Sequence, residues 1–282
     1  MYLRNVNGKT MRTLLIILMI TLFFACVSRY RHQNNIVASS LLDIKSENEK
    51  IPIAGIWMSE NYISSLKEKK SPRIAQQGNS LLIIIPERTN GKTTIMDGFH
   101  DDFDYYSILK NQNRFEIWET HDNRLSKLEY IIDVISSSKI KIGETILIKI
   151  DPFKVKDFLH NGLKEEILIQ EELLFKGIYL TSDGKKVEFK KNGQINGLDS
   201  FYYYKPINDY YDEGMQVDQL VLVKSERNIE WKDLEYYGFK FNCDTLELYK
   251  LNCLEFDSTS QNCGVVELGK LEYKLWKTDN NR

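Results

Sequence analysis

Residues 53–58 read Ile-Ala-Gly-Ile-Trp-Met, and residues 175–179 read Phe-Lys-Gly-Ile-Tyr. In both stretches a glycine stands two positions before a large aromatic residue, Trp57 in the first and Tyr179 in the second. Three more similarities follow in the same order along the chain: 98–106 with 197–204, 128–130 with 234–236, and 144–146 with 244–246. Four matches in one order favour a duplicated unit over chance similarity. We therefore predict that the chain contains two related halves.

The composition favours strands in both halves. The 282 residues include 16 Tyr and 13 Phe, whereas alanine, the strongest helix former, occurs only 4 times. Polar and apolar residues alternate strictly over 186–190 and 270–275, which is typical of strands with one solvent-facing side. Asp183-Gly184 and Asn192-Gly193 favour tight hairpin turns around the first of these runs. The sequence predicts antiparallel meanders.

A short helical pattern separates the halves. Asp151-Pro152 is a favourable helix start, and the apolar residues that follow it recur at helical spacing. We predict a linker helix over 151–172.

The N-terminus has the features of an export signal. Met11-Arg12 precedes an apolar run, 13–25, that is too short to span a bilayer and ends at Cys26. Residues 23–26, Phe-Phe-Ala-Cys, resemble a bacterial lipobox, in which the cysteine is lipidated and the chain is cut before it. We predict a lipoprotein signal peptide over 1–25, lipidation of Cys26 and a polar tether over 26–50. An ordinary cleaved signal or a membrane anchor with an incidental cysteine is the alternative.

The Gly-x-Trp opening at Gly55 and Trp57 resembles that of lipocalin-like proteins, in which the tryptophan closes one end of a barrel. Together with the late Asp244-Thr245-Leu246 run, the chain resembles lipocalin-like lipoproteins of Bacteroidetes, in two tandem units. The resemblance implies a mainly β fold of two small antiparallel barrels, over 51–150 and 173–282, joined by the short helix. It also implies that Lys149 or Lys277 takes the place of the arginine that covers the tryptophan.

The aromatic residues supply the candidate ligand site. We predict ligand contacts at Trp57, Tyr179, Phe103, Phe201 and Tyr203, because aromatic surfaces suit apolar, sugar or peptide ligands. The alternative is that these side chains fill the barrels, since small barrels are packed by their own side chains.

Charge and motifs exclude several other functions. A formal net charge of -2 provides no basic field for nucleic acid. Residues 86–93 lack the first glycine of a phosphate-binding loop, and neither 100–102 nor 121–122 has the spacing of a metal site. We predict no catalytic group, no cofactor and no metal, and therefore not an enzyme.

The cysteines beyond Cys26 are Cys243, Cys253 and Cys263. An odd number leaves one thiol free in an oxidising compartment. Pairing of Cys253 with either Cys243 or Cys263 is compatible with their spacing.

These features together predict a lipid-anchored envelope protein at the outer membrane, facing the periplasm, with the membrane as its first partner. It would bind a small apolar or amphipathic ligand, or an envelope protein. A structural or immunity-type interaction protein with filled barrels is the main alternative, and an envelope hydrolase is the second.

Overall fold

The computed structural model describes residues 49–278 except 79, 90, 99–103, 112–113, 122–123, 151–168, 208–209, 211–215, 226–229 and 258–261. The predicted signal peptide, Cys26, most of the tether, Phe103 and most of the linker helix lie outside the described residues. Within these residues no helix combines the length and the apolar character needed to cross a bilayer.

The first half forms a closed barrel of eight antiparallel strands in chain order. Its strands are β1 Gly55–Ser59, β2 Leu82–Ile85, β3 Thr93–Met96, β4 Asp104–Asn111, β5 Arg114–His121, β6 Arg124–Ser136, β7 Lys139–Ile142 and β8 Thr145–Ile150. Pairing of β1 with β8, with Trp57 opposite Lys149, closes the barrel. Pairing of each strand with the next one along the chain makes this an up-and-down meander.

The second half repeats this order of pairing. Its strands are β9 Gly177–Leu180, β10 Lys186–Phe189, β11 Ile195–Asn196, β12 Tyr203–Pro206, β13 Gln219–Val223, β14 Leu234–Asn242, β15 Thr245–Asp257 and β16 Asn262–Lys277. First and last strands pair again, with Tyr179 opposite Lys277. An isolated bridge between Gln194 and Tyr203 links β11 to β12, so the sheet is nearly closed. The predicted mainly β fold with two barrels is confirmed, and it fits a lipocalin-like tandem arrangement.

The internal repeat is structural at most of the matched positions. Residues 128–130 lie in β6 and 234–236 in β14, the sixth strand of each barrel. The match of 144–146 with 244–246 is wrong as an equivalence, because the first leads into the eighth strand of its barrel, β8, and the second leads into the seventh, β15. Both segments follow a turn residue with positive φ, Gly143 at 56° and Cys243 at 54°. Similar hairpin chemistry therefore produced the similarity.

Two helices after β1 were not foreseen in the sequence. α1 spans Glu60–Lys69 and α2 spans Pro72–Gln76. The Ser59 side chain caps α1 by accepting a hydrogen bond from the Tyr62 backbone amide, and Ser71 caps α2 in the same way. Tyr62, Ile63 and Leu66 give α1 a buried apolar face.

The alternating residues of β1 divide the core into two clusters. Trp57 belongs to the cluster inside the first barrel. Ile56 and Met58, on the opposite face, join a larger cluster that includes Tyr62 and Leu66 of α1 and the interior of the second barrel. A strand buried on both faces explains why β1 carries consecutive apolar residues. Helix α1 thus packs between the outer wall of one barrel and the other barrel.

Candidate functional site

The Gly-x-Trp motif forms a buried, hydrogen-bonded unit in the core of the first barrel. The indole Nε1 of Trp57 donates a hydrogen bond to the Ile53 carbonyl at 2.9 Å, and the side chain is 1% exposed. The Lys149 ammonium lies 5.4 Å from the indole centroid and donates to the Ala54 carbonyl at 2.6 Å. Gly55 has a φ of +135°, and a Cβ there would lie 2.6 Å from Lys149 Cε. The glycine thus allows the lysine to cover the ring.

The same construction recurs in the second barrel with tyrosine in place of tryptophan. The Tyr179 hydroxyl donates to the Phe175 carbonyl at 2.9 Å, four residues earlier, as the indole does in the first barrel. Lys277 Nζ lies 5.6 Å from the tyrosine centroid. Burial raises the pKa of Tyr179, so the ring stays neutral. The two lysines considered as alternatives in the sequence therefore both cover an aromatic ring, one in each barrel.

Aromatic rings occupy the interior of the second barrel above this motif. Phe175 belongs to a π-helical turn, Glu171–Phe175, that leads into β9. Its ring lies 5.0 Å from that of Phe239 and 5.5 Å from that of Tyr204, and Phe189 lies 4.9 Å from Tyr204. Contacts at these distances are typical of packed aromatic cores. This part of the barrel is filled by its own side chains.

A charged network lies at the start of β14, at the other end of this strand from the Asp244 turn. Glu235 accepts hydrogen bonds from Lys224 and, at 2.8 Å, from Lys250. Tyr237 donates to the same carboxylate at 2.9 Å. The hydrogen bonds from the two lysines lower the pKa of Glu235 from 4.5 to about 2. Both oxygens of the Glu235 carboxylate therefore have hydrogen-bond partners, and we expect this network to stabilise the second barrel.

The predicted ligand-contacting residues are not brought together in one place. Trp57 and Tyr179 lie in separate core clusters. Phe201 is 4% exposed in the second barrel, where its ring packs against Tyr237 and lies under the Lys224 ammonium. Tyr203 is half-buried on β12 beside the bridge that nearly closes that barrel. Phe103 lies outside the described residues. Their ligand role remains a prediction.

A cleft at the end of the first barrel was not foreseen in the sequence. It has a volume of about 460 Å³ and is lined by Glu49, Lys50, Ile51, Pro52, Thr89, Ile108, Lys110 and Phe115. Ile108 and Phe115 are core residues of this barrel, with 1% and 6% of their surface exposed. No single motif indicates the cleft, because its walls come from three separate segments.

Hydrogen bonds fix one wall of this cleft. The Ile51 amide donates to the Glu87 carbonyl at 2.8 Å, and the Thr89 amide donates to the Glu49 carbonyl at 3.0 Å. Residues 49–51 are thus attached to the β2–β3 loop. The β4–β5 hairpin adds Lys110 and Phe115 to the lining of the cleft. It combines an apolar floor with a rim of both charge signs.

The β15–β16 hairpin extends beyond the second barrel as a two-stranded finger, residues 251–268. Residues 251–257 pair with 262–268, whereas β14 pairs with β15 only as far as Lys250. A disulfide joins Cys253 and Cys263 across the finger, one of the two pairings compatible with the sequence, and leaves Cys243 as an exposed free thiol. Leu254 and Phe256 are 57% and 66% exposed on it.

The described residues contain no cluster of three or more side chains able to hold a metal ion. Residues 100–102, whose spacing does not fit a metal site, lie outside the described residues.

Comparison with known proteins gives one relative and no functional assignment. No protein-family model matches the chain, and no solved structure matches it. An uncharacterized protein of Archaeoglobus fulgidus is 23% identical over 197 residues, an alignment that covers 63% of this chain and 34% of that protein. The chain therefore matches about a third of the length of this relative, which is itself named without an activity.

Proposed function

We propose that this protein is a lipid-anchored envelope protein that binds a small amphipathic molecule in the cleft of the first barrel. The cleft itself is the main support for this function. Its volume of about 460 Å³ lies within the range of small-molecule sites, about 300–1,000 Å³. Filled aromatic packing in the second barrel favours the first barrel as the ligand site.

The lining of the cleft supports an amphipathic ligand. Ile51, Pro52, Ile108 and Phe115 provide the apolar part of the lining. Burial of an alkyl chain there would contribute about 0.8 kcal/mol per CH₂. At the rim, Lys50 and Lys110 outnumber Glu49, so an anionic head group is favoured over a cationic one.

The position of the cleft supports action near a membrane. Glu49 lines the cleft and follows Cys26 by 23 positions. An extended chain of that length spans at most about 80 Å. A lipid on Cys26 would therefore keep the cleft close to the bilayer. The disulfide in the finger agrees with an oxidising compartment such as the periplasm.

A fluorescence titration with a dansyl-labelled fatty acid tests the proposal. The mature chain carrying Cys26→Ser avoids the detergent that a lipidated protein requires. We expect saturable binding, and we expect Pro52→Trp to weaken it about tenfold or more because an indole would occupy the cleft. Lys110→Glu should weaken it about threefold through charge repulsion.

Lys240→Glu is the matched control, because Lys240 is also an exposed strand lysine but lies on the second barrel. It should leave the affinity unchanged. Equal affinity of all variants, or no saturable binding by the parent chain, would exclude the cleft as the site.

Protein interaction through the finger is the second candidate function. Leu254 and Phe256 are exposed on an element that the barrel does not need for closure, and a disulfide holds it in one conformation. Pre-organised apolar side chains of this kind are typical of interaction surfaces. A Leu254→Ser, Phe256→Ser variant that loses envelope function but keeps fatty-acid binding would favour this candidate.

A further inference from the structure

The repeated motif differs between the two barrels in the surroundings of its lysine ammonium group. In the first barrel, the ammonium of Lys149 donates to the Ala54 carbonyl at 2.6 Å on an exposed surface. In the second barrel, Lys277 occupies the equivalent place over Tyr179 and is half-buried. Among the described residues, its ammonium has no hydrogen-bond acceptor. A partly desolvated cation without an acceptor is unfavourable, and its donors are available to a ligand.

Two further lysines, Lys70 and Lys176, are near enough for their charges to act on this ammonium. Lys70, at the end of α1, donates to the Cys243 carbonyl at 2.5 Å and lies 3.5 Å from the Asp244 carboxylate. The backbone amide of Lys277 donates to the Asp244 carbonyl at 2.8 Å, so Lys70 and Lys277 meet at the same turn. Lys176 precedes Gly177, and a Cβ on that glycine would lie only 3.5 Å from the Lys277 ammonium.

The nearby carboxylates do not balance these charges. Asp244 interacts with Lys70, and Glu172 accepts a hydrogen bond from Lys176 at 2.6 Å. Among the described residues, two carboxylates pair with Lys70 and Lys176, and the third ammonium, that of Lys277, forms no ion pair. Burial, together with the charges of Lys70 and Lys176, lowers the pKa of Lys277, and Asp244 opposes this effect. An added negative charge at this place would relieve the repulsion.

We propose that Lys277, with Lys70 and Lys176, forms a binding site for an oxyanion of the phosphate class beside Tyr179 and the Asp244 turn of the second barrel. The anion supplies the acceptors that the Lys277 ammonium lacks. Phosphate oxygens suit this arrangement because they accept several charge-assisted hydrogen bonds at once. The site includes α1 of the first half, so an anion bound there would also bridge the two barrels. It is separate from the cleft and does not depend on the proposed function.

Calorimetric titration of the mature chain with inorganic phosphate, at constant ionic strength in chloride, tests this site. We expect saturable binding at one site per chain and a rise in the melting temperature with phosphate, because a ligand that binds only the folded state stabilises it. Lys277→Met should weaken phosphate binding about tenfold or more, the loss expected for a charge-assisted hydrogen bond. Lys149→Met is the matched control, since Lys149 already has an acceptor, and it should leave phosphate binding unchanged.

An NMR titration and a vesicle flotation assay test the same site independently. Lysine-selective NMR of the parent chain should show that phosphate raises the pKa of one ammonium, and this signal should be absent in Lys277→Met. Flotation with phosphatidylcholine vesicles, with and without phosphatidic acid, distinguishes a lipid phosphate from free phosphate: vesicle binding that requires both phosphatidic acid and Lys277 identifies the lipid, and phosphate binding alone identifies the free ion. Absence of saturable binding to the parent chain in both assays, or equal phosphate binding by Lys277→Met and Lys149→Met, would overturn the proposal.

Discussion

Substitution of Glu235 by glutamine should remove a pH-dependent part of the stability of the second barrel. The carboxylate has a pKa of about 2 in the folded protein, against a usual value of 4.5, because Lys224 and Lys250 donate hydrogen bonds to it. One pKa unit corresponds to about 1.4 kcal/mol, so the upper bound is about 3 kcal/mol. Lys224 and Lys250 are 41% and 43% exposed. Solvent screening therefore reduces the expected contribution to about 1–2 kcal/mol.

The stability that Glu235 contributes should decrease in acid, because its pKa is lower in the folded than in the unfolded protein. A carboxylate whose pKa is lower in the folded state stabilises the fold fully above its unfolded pKa, and this contribution is lost as the pH falls through about 2. For this shift, about three fifths of the contribution should already be lost at pH 3.

Urea unfolding of the parent chain and Glu235→Gln at pH 7 and pH 3 measures this effect. The difference in unfolding free energy should be about 1–2 kcal/mol at pH 7 and less than half of that at pH 3. Glu144→Gln is the control, because the Glu144 side chain is 98% exposed, and it should change stability by less than about 0.5 kcal/mol. A difference in unfolding free energy between the parent chain and Glu235→Gln that is the same at both pH values would refute the stabilising role of the Glu235 carboxylate.

Three other perturbations have defined outcomes. Gly55→Ala should cost about 1–3 kcal/mol of unfolding free energy, since its φ of +135° is strained for alanine and the Cβ would displace Lys149; Gly143→Ala, with open space around it, should cost less. A smaller loss at Gly55 than at Gly143 would contradict the role of the close approach. Replacement of Cys253 and Cys263 by serine should accelerate proteolysis within 251–268, measured by mass spectrometry, with little change in barrel unfolding, because an isolated hairpin is marginally stable; unchanged cleavage would show that the strands alone hold the finger. Cys26→Ser should release the protein from membranes in fractionation, since acyl chains provide the anchor, and retention would defeat the lipobox prediction.

The barrel fold was predictable because its signals are local. Alternation, turn dipeptides and the repeated glycine–aromatic spacing at Gly55 and Gly177 do not depend on distant contacts. The same locality misled the comparison at 144–146 and 244–246, where a positive-φ turn followed by an acidic residue and threonine recurs on different hairpins. Turn chemistry repeats wherever a hairpin repeats, so it does not fix which hairpin is which.

The candidate sites were not predictable because tertiary packing assembles them. The cleft joins residues 49–52 to Thr89, Ile108 and Phe115 from different strands and loops. Lys70 reaches Asp244 across 174 positions of the chain. Helix α1 could have been found, since Ser59 is a favourable N-cap and Ile63 and Leu66 have helical spacing. The strand-like composition of the surrounding sequence concealed it.

Above all, we propose that the first-barrel cleft binds an amphipathic molecule. The most direct measurement is a crystal structure of the mature Cys26→Ser chain grown with a fatty acid whose terminal carbon bears bromine, located by its anomalous signal. We expect the bromine against Ile108 and Phe115 and the carboxylate at the rim near Lys50 or Lys110. Bromine located elsewhere on the protein, with an empty cleft, would show that the cleft is not the binding site.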